Sequence, residues 1–506
     1  MKLKQLIEGV DIINISGDTT GDVSTLCYAA NKCEKMSLFV AIPGLAHDGH
    51  DFIEEAISKG AGFIVYEKDF EIPDQVTAIK VADSRRALGV LAKNYFEDPS
   101  AKLKLIGVTG TNGKTTITYL LESILTKAGF KCGVLGTVNY RYNNKIIPAP
   151  NTTPESYEMQ KILREMADND INHVIAEVSS HALDLRRVDD CDFDLGIFTN
   201  LSPEHLDYHV TMDSYFQAKK RFFTEVLPKS KKHYQRKAVV NADDSWGIKL
   251  LGEIWLSALT YGIERNSDVR VLEYVSSLDG ITATISVENR KMKINSKLIG
   301  RFNLSNIAAA TAAAQILNIN ISTITAGIES LVCVPGRLEK VDSDEGIHVF
   351  VDYAHKADAL KQVLQNLLLL KKKKIITVFG CGGNRDRGKR PMMGETATSY
   401  SELTIVTSDN PRLEEPLAII AEIEAGIDQN KIKKVASDNP ELKEDIHCYK
   451  VISDRRKAIE MAVRMAQPGD IVLIAGKGHE DYQILGTKKI PFDDRLVAAQ
   501  ALKFRS

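Results

Sequence analysis

Residues 103–129 read LKLIGVTGTNGKTTITYLLESILTKAG. The apolar run 103–109 has the length and composition of a buried strand, and residues 115–128 carry helical periodicity that Gly129 closes. Between them, Gly110-Thr111-Asn112-Gly113-Lys114-Thr115-Thr116 makes a turn that aims backbone N–H groups and a helix N-terminus at an anion. It is a phosphate loop by context: Lys114 would reach terminal phosphates, and the Thr115 hydroxyl would help hold Mg²⁺. The common form of this loop puts about four residues between its glycines. Here only Thr111 and Asn112 stand between Gly110 and Gly113. The bland alternative, a glycine turn with a surface lysine, does not account for strand, helix and Lys-Thr-Thr together.

Outward from that loop the chain divides. Residues 1–100 read as a small α/β unit, with strands at 37–42 and 61–66 around a helix at 51–59. After Asp98-Pro99-Ser100, residues 101–336 hold the phosphate loop and further strands at 174–178, 195–199 and 237–241, interleaved with helices as a parallel sheet requires. The pattern breaks near Val334-Pro335-Gly336-Arg337. From 337 to 506 strand and helix alternate again, through 375–379, 403–407 and 470–475. The fold class is therefore α/β in three domains: a central parallel-sheet ATPase domain flanked by a small first domain and a Rossmann-like last one.

Composition bounds the function. The 506 residues, 44% hydrophobic and 26% charged, can fill several cores. Positive and negative side chains nearly cancel at 65 against 67, so attraction to nucleic acid is not indicated. The run Lys371 to Lys374 is a solvated helix end before the strand at 375. Seven scattered cysteines, none in a zinc-knuckle pair, fit a reducing compartment. No leader-like N-terminus and no run of about 18 apolar residues is present, so the expectation is a cytoplasmic protein without membrane insertion; a monomer is expected as well, though nothing in the sequence fixes the oligomeric state.

Motifs spread along the whole chain carry a resemblance: VADSRRAL (81–88), the phosphate loop, NTTP (151–154), EVSSHAL (177–183), TNLS (199–202), HLDYH (205–209), DYAH (352–355), GKRP (388–391), DNPR (409–412) and GKGHEDYQ (476–483). In that order and spacing the chain resembles the Mur ligases, and among them the UDP-N-acetylmuramoyl-tripeptide synthetases that add a third amino acid to a cell-wall precursor. The resemblance implies UDP recognition by residues 1–100, ATP binding by 101–336 and amino-acid binding mainly by 337–506.

It also implies roles residue by residue. Lys114, Glu177, His205 and Lys219 would be catalytic, with Thr115, Glu177, His205 and a carbamate formed from CO₂ on Lys219 around Mg²⁺. ATP would meet residues 110–116 together with Asn303, Asn306, Arg337 and Asp352. The UDP-N-acetylmuramoyl dipeptide would lie against Ala30, Asn151, Thr152, Thr153, Ser179, Leu185 and Arg187. Meso-diaminopimelate would lie against Arg390, Asp409, Asn410, Pro411, Arg412, Gly476 and Glu480, with Arg412 as the cation for the carboxylate that lysine lacks. Read by the residues alone, Lys219 is a solvated helix lysine and His205 a hydrogen-bonding loop residue, Asn303 and Asn306 are either adenine contacts or helix caps, and the bland alternative for Arg412 is a turn arginine paired with Glu414 or Glu415.

The chain departs from the family where Ala29-Ala30-Asn31 replaces Asp-Ser-Arg, where Leu185 replaces a glutamine, and where Asp352-Tyr353-Ala354-His355-Lys356-Ala357 lacks a proline. The activity implied is amide formation through an acyl phosphate. Competing readings are the same ligation with lysine, against which Arg412 argues, a folate polyglutamylating ligase, and a non-catalytic ATP-binding regulator descended from a ligase.

Overall fold

A computed structural model describes residues 1–44, 47–71, 73, 75–230, 232, 237–436 and 447–505. The chain forms two compact units. One comprises Met1–Val271, Ser286–Lys291 and Asn306–Gly327; the other comprises Leu272–Ile285, Met292–Ser305 and Ile328–Ser506.

The first unit holds two sheets. In the smaller, the strands run in the order Ile12–Ser16, Thr77–Val81, Phe63–Tyr66, Leu38–Val40, Leu26–Cys27, and only the first is antiparallel to its neighbour. The helix expected at 51–59 is a 3₁₀ turn, Gly49–Phe52, followed by a short helix, Ile53–Ser58. The Asp48 side chain accepts from His50 N–H and tightens that first turn.

In the larger sheet parallel strands run in the order Ser257–Gly262, Lys237–Asn241, Leu195–Phe198, Lys104–Thr109, His173–Glu177, Cys132–Leu135, with residues 269–270 pairing in parallel beyond Ser257–Gly262, and Tyr140–Tyr142 and Lys145–Ile147 adding antiparallel strands at the other edge. Both faces are covered, which is why its strands read as unbroken apolar runs. Gly107 and Gly196 lie in adjacent strands because Phe222, Phe223 and Phe193 press on them: a Cβ on Gly107 would stand 2.4 Å from Phe222. The register pairs Glu177 with Val108 and Phe198 with Thr109. The strand before the phosphate loop thus has a neighbour ending beside it on each side, at the carboxyl ends of a parallel sheet, where ligands bind.

The second unit is built on a sheet ordered Glu339–Val341, His348–Asp352, Ile471–Ala475, Ile375–Phe379, Leu403–Val406, Cys448–Val451, Lys433–Lys434, parallel except for the first strand. Alternate side chains take opposite faces. Phe350, Leu473, Ile375 and Phe379 pack with Leu360, Leu364 and Met393, while Val349, Val351, Val472 and Ile474 pack with Ile459, Ala462 and Val463. The strands expected at 375–379, 403–407 and 470–475 agree to within a residue at either end.

Candidate active site

The phosphate loop turns on Gly110 and Gly113, with φ of 136° and 90°, angles that strain any residue with a side chain. A Cβ on Gly110 would stand 1.9 Å from Thr199 Oγ1, and one on Gly113 would stand 2.3 Å from Asn306 Oδ1. Thr199 Oγ1 donates to the Asn112 carbonyl at 2.6 Å, and Asn112 N–H donates to Asn200 Oδ1 at 3.0 Å. Thr111 Oγ1 is 3.2 Å from the Tyr215 hydroxyl. Lys114 Nζ donates to the Gly110 and Thr111 carbonyls at 2.9 and 2.7 Å. Thr115 and Thr116 are buried in the first turn of the helix Lys114–Lys127.

Lys219 converges on the same loop. It lies in the helix Met212–Arg221, is 1% exposed, and donates to the Gly110 carbonyl at 2.8 Å. Its Nζ also stands 4.7 Å from the centre of the Tyr215 ring. Burial, reinforced by the nearby charge of Lys114, holds the amine well below the ordinary lysine range. The reading of Lys219 as a solvated lysine is therefore wrong: helix periodicity did not reveal that this face turns to the loop.

Glu177 is also buried, at 1% exposure. Its carboxylate accepts from Thr137 N–H at 3.0 Å and Thr137 Oγ1 at 2.9 Å. Among the described residues no lysine or arginine pairs with it, although a buried carboxylate without a counter-charge is costly. Gly136 is where the chain passes: a Cβ there would stand 2.4 Å from Glu177 Oε1. His205 begins the helix Leu206–His209 in the left-handed region, φ 55°. Its ring lies 4.7 Å from that of His181 and 6.3 Å from that of Tyr215. No cluster of three or more His, Cys, Asp or Glu that could hold a metal ion exists among the described residues.

Thr152 Oγ1 lies 3.1 Å from Thr137 Oγ1, and Thr153 Oγ1 donates to the Glu177 carbonyl at 2.8 Å while accepting from Ser179 N–H at 3.0 Å. Ser179 caps the helix Ser180–Asp184, and Leu185 follows that helix. Asn151 accepts through its carbonyl from the Tyr140 hydroxyl. Arg187 pairs with Glu155 at 3.2 Å, and Glu155 also takes Arg85 at 3.1 Å, while Arg85 reaches the Pro43 carbonyl. Of the expected precursor residues, Thr152, Thr153 and Ser179 are thus tied to Glu177, directly or through Thr137. Ala30 opens a 3₁₀ turn, Ala30–Lys32.

Asn303 donates its amide N–H to the Ile299 carbonyl at 2.8 Å, the reverse of a cap, which accepts from a free helix N–H, whereas Asn306 packs on Gly113. Asp352 is buried and accepts from Leu338 and Ala354 N–H groups, yet burial raises its carboxyl above the usual range, an effect that Arg337 opposes. The Arg337 guanidinium lies 5.1 Å from the Tyr353 ring centre.

In the second unit a turn from each of two strands forms another cluster. Asn410 donates to Glu480 at 3.0 Å and accepts from Lys477 Nζ and from Ile484 N–H. Lys477, 0% exposed in its side chain, also donates to Glu480 at 3.1 Å and lies 3.7 Å from Asp409. Gly476, φ 116°, leaves room for Asp409: a Cβ would stand 2.7 Å from its carboxylate. Pro411 passes its carbonyl against Gly383, and Arg412 donates to the Gly383 carbonyl at 2.8 Å. The alternative partners of Arg412 are not its partners. Glu414 instead binds Arg390, which is fully buried and also holds Glu422 at 2.8 Å. In the structure Arg390 thus fixes the turn that carries Arg412.

Lys477, Tyr215 and Thr137 join these clusters without being singled out by sequence. Lys477 stands inside GKGHEDYQ, but nothing in the spacing separates it from a surface lysine.

The model described as the Mur ligase family catalytic domain matches residues 22–96, the Mur ligase middle domain 108–314 and the Mur ligase glutamate ligase domain 336–478. Relatives named UDP-N-acetylmuramoyl-L-alanyl-D-glutamate--2,6-diaminopimelate ligase match the chain nearly from end to end. The protein of Geobacter sulfurreducens is 46% identical over 505 residues, 99% of each chain, and that of Geobacter metallireducens 44% identical over 503 residues, 99% of this chain and 98% of the other. A solved structure of a ligase of that name superposes with a TM-score of 0.69 at 31% identity over 99% of each chain. A MurF ligase from Thermotoga maritima in complex with ADP shares the fold, with a TM-score of 0.61 at 19% identity over 95% of this chain and 98% of its own. With three domain models covering most of its length and relatives this similar from end to end, the chain belongs to the Mur ligase family.

Proposed function

We propose that this chain is an ATP-dependent ligase that joins meso-diaminopimelate to UDP-N-acetylmuramoyl-L-alanyl-D-glutamate, a step of peptidoglycan synthesis, with domain limits at 1–100, 101–336 and 337–506. The observation that carries this reading is the convergence of Lys114 and the buried Lys219 on the carbonyl of Gly110. A phosphate loop alone serves many reactions. One with a second, buried amine on the same loop carbonyl, and a buried carboxylate, Glu177, ending the neighbouring strand, offers a site for CO₂ and an oxygen donor for a divalent cation.

In the first step a carboxylate oxygen of the D-glutamyl residue attacks the γ-phosphorus of ATP, and ADP leaves. Lys114 and the loop N–H groups offset charge on the transferred group. The amine of diaminopimelate then attacks the acyl carbon, and phosphate leaves with formation of the amide. Arg412 supplies the cation for the distal carboxylate, and Glu480, held by Asn410 and Lys477, supplies an acceptor for the distal ammonium.

By donor chemistry alone the residues suit Mg²⁺: the Thr115 hydroxyl and the Glu177 carboxylate, which no lysine or arginine pairs with among the described residues, are hard oxygen donors, and His205 would add an imidazole. The ion would neutralise phosphate charge when bound. Burial holds the Lys219 amine well below the ordinary lysine range, which favours the uncharged form that adds CO₂, and the carbamate would supply a further oxygen donor.

The test is phosphate release by the purified protein given ATP, Mg²⁺ and the UDP-linked dipeptide, with meso-diaminopimelate or lysine. Release and tripeptide formation dependent on diaminopimelate are expected. Equal use of lysine would overturn the specificity, and no release with either would overturn the ligase.

A further inference from the structure

Cys27 ends the strand Leu26–Cys27, and Cys33 follows the 3₁₀ turn Ala30–Lys32. Their sulfur atoms stand 2.9 Å apart, closer than any other pair of thiols described. Cys27 is buried against the Leu38 carbonyl, 3.6 Å from its sulfur, while Cys33 is half exposed and open to reagents. The five residues between them include Ala30 and Tyr28. The Tyr28 hydroxyl donates to Glu158 at 2.8 Å, tying this loop to the helix Ser156–Asp168, which begins next to Glu155, the partner of Arg187.

We infer that Cys27 and Cys33 form a redox-modifiable dithiol, oxidised by small-molecule disulfides, whose closure pins the loop carrying Tyr28 and Ala30. A disulfide has an S–S distance of about 2.05 Å, so the sulfur atoms need to approach by roughly an ångström. The hydrogen bond from Cys27 lowers the Cys33 thiol and raises that of Cys27. The half-exposed sulfur is therefore the one available as thiolate, the attacking form. Cys33 thiolate attacks a disulfide RSSR and expels one RS⁻. Cys27 then gives up its proton and attacks the Cys33 sulfur, expelling the second. Two protein thiols and RSSR become one protein disulfide and two RSH.

The effect on precursor binding rests on the proposed function, and the covalent step does not. Lys32 lies between the two cysteines, so trypsin separates peptide 5–32 from peptide 33–35 unless a disulfide joins them. The native full-length protein is treated with oxidised dithiothreitol or glutathione disulfide, alkylated and digested. The expected product is the joined pair of peptides, 2 Da lighter than the two thiols, absent from Cys33→Ser and reversed by dithiothreitol. The KM for the UDP-linked dipeptide is expected to change at least threefold on oxidation, while Cys33→Ser is insensitive to the oxidant. Failure to join the peptides while other cysteines oxidise would overturn the dithiol. Joining without a change in KM would overturn its coupling to the loop. Reduced protein that never turns over the precursor would instead count against the proposed function.

Discussion

Asp190 shows how a residue far from the chemistry can be read from its surroundings. Burial, reinforced by the neighbouring Asp189 charge, raises its carboxyl to about 6 from 3.8, and Gly89 gives it room, since a Cβ there would stand 2.2 Å from Asp190 Oδ2. The folded state then binds a proton between pH 4 and 6 that the unfolded chain has released. Stability therefore falls as pH rises through that window and stays lower above it. Asp190→Asn should stabilise the protein by about 1–3 kcal/mol at pH 8 and by almost nothing at pH 4, as urea unfolding at the two pH values would measure. An equal gain at both would show that packing, not ionisation, sets the effect. At this scale sequence was least informative: Asp190 is one of 67 acidic residues, and neither it nor buried Lys219 differs in type or spacing from a solvated residue. Glu177 stood out because a strand ends and a motif begins on it.

At the scale of elements, the phosphate loop was the most legible feature, because its glycines are demanded by geometry that the sequence states outright. Gly110→Ala should lower ATP affinity by at least about a hundredfold, since the Cβ meets Thr199 and φ is positive, costing roughly 2–4 kcal/mol. Gly129→Ala is the control. Its φ is 87° but nothing lies within 4 Å, so it should cost about 1 kcal/mol of stability and leave ATP titration calorimetry unchanged. Loss of ATP binding in both would place the defect in folding.

Less legible was the meeting of the 409–412 and 476–480 turns: they follow strands with Ile375–Phe379 between them, so it depends on the strand order of the sheet. Lys477→Met should leave Glu480 and Asp409 without their buried cation and cost roughly 3 kcal/mol. The KM for diaminopimelate should rise about tenfold or more, with that for ATP unchanged. Urea unfolding and initial rates would measure both; unchanged diaminopimelate kinetics would confine Lys477 to a structural role. The short π-helical segment Phe222–Val226 that follows Lys219 had no sequence signal either. It continues a helical pattern with one residue more per turn, and hydrophobicity alone does not distinguish the two.

For the molecule as a whole, the alternation of strands and helices disclosed three α/β domains, and the family models match three successive regions. The division into two compact units was not legible, because it depends on contacts between segments distant in sequence. If amino-acid recognition belongs to the turns at 409–412 and 476–480, damage there should leave the other substrates untouched. Arg412 donates to the Gly383 carbonyl and stands in the left-handed region, φ 53°, where its backbone bonds to Ile484 and Gly486 hold the turn without its side chain. Arg412→Ala removes a charge-assisted contact worth about 2–3 kcal/mol, so the KM for meso-diaminopimelate should rise on the order of a hundredfold. The KM values for ATP and the UDP-linked dipeptide should stay within about twofold, and the rate with lysine, which has no distal carboxylate to lose, should not fall. Steady-state kinetics with each substrate varied in turn would decide. A comparable rise for all three substrates would show that the turn supports the catalytic machinery as a whole, and lysine use falling in step with diaminopimelate would show that Arg412 does not read the extra carboxylate.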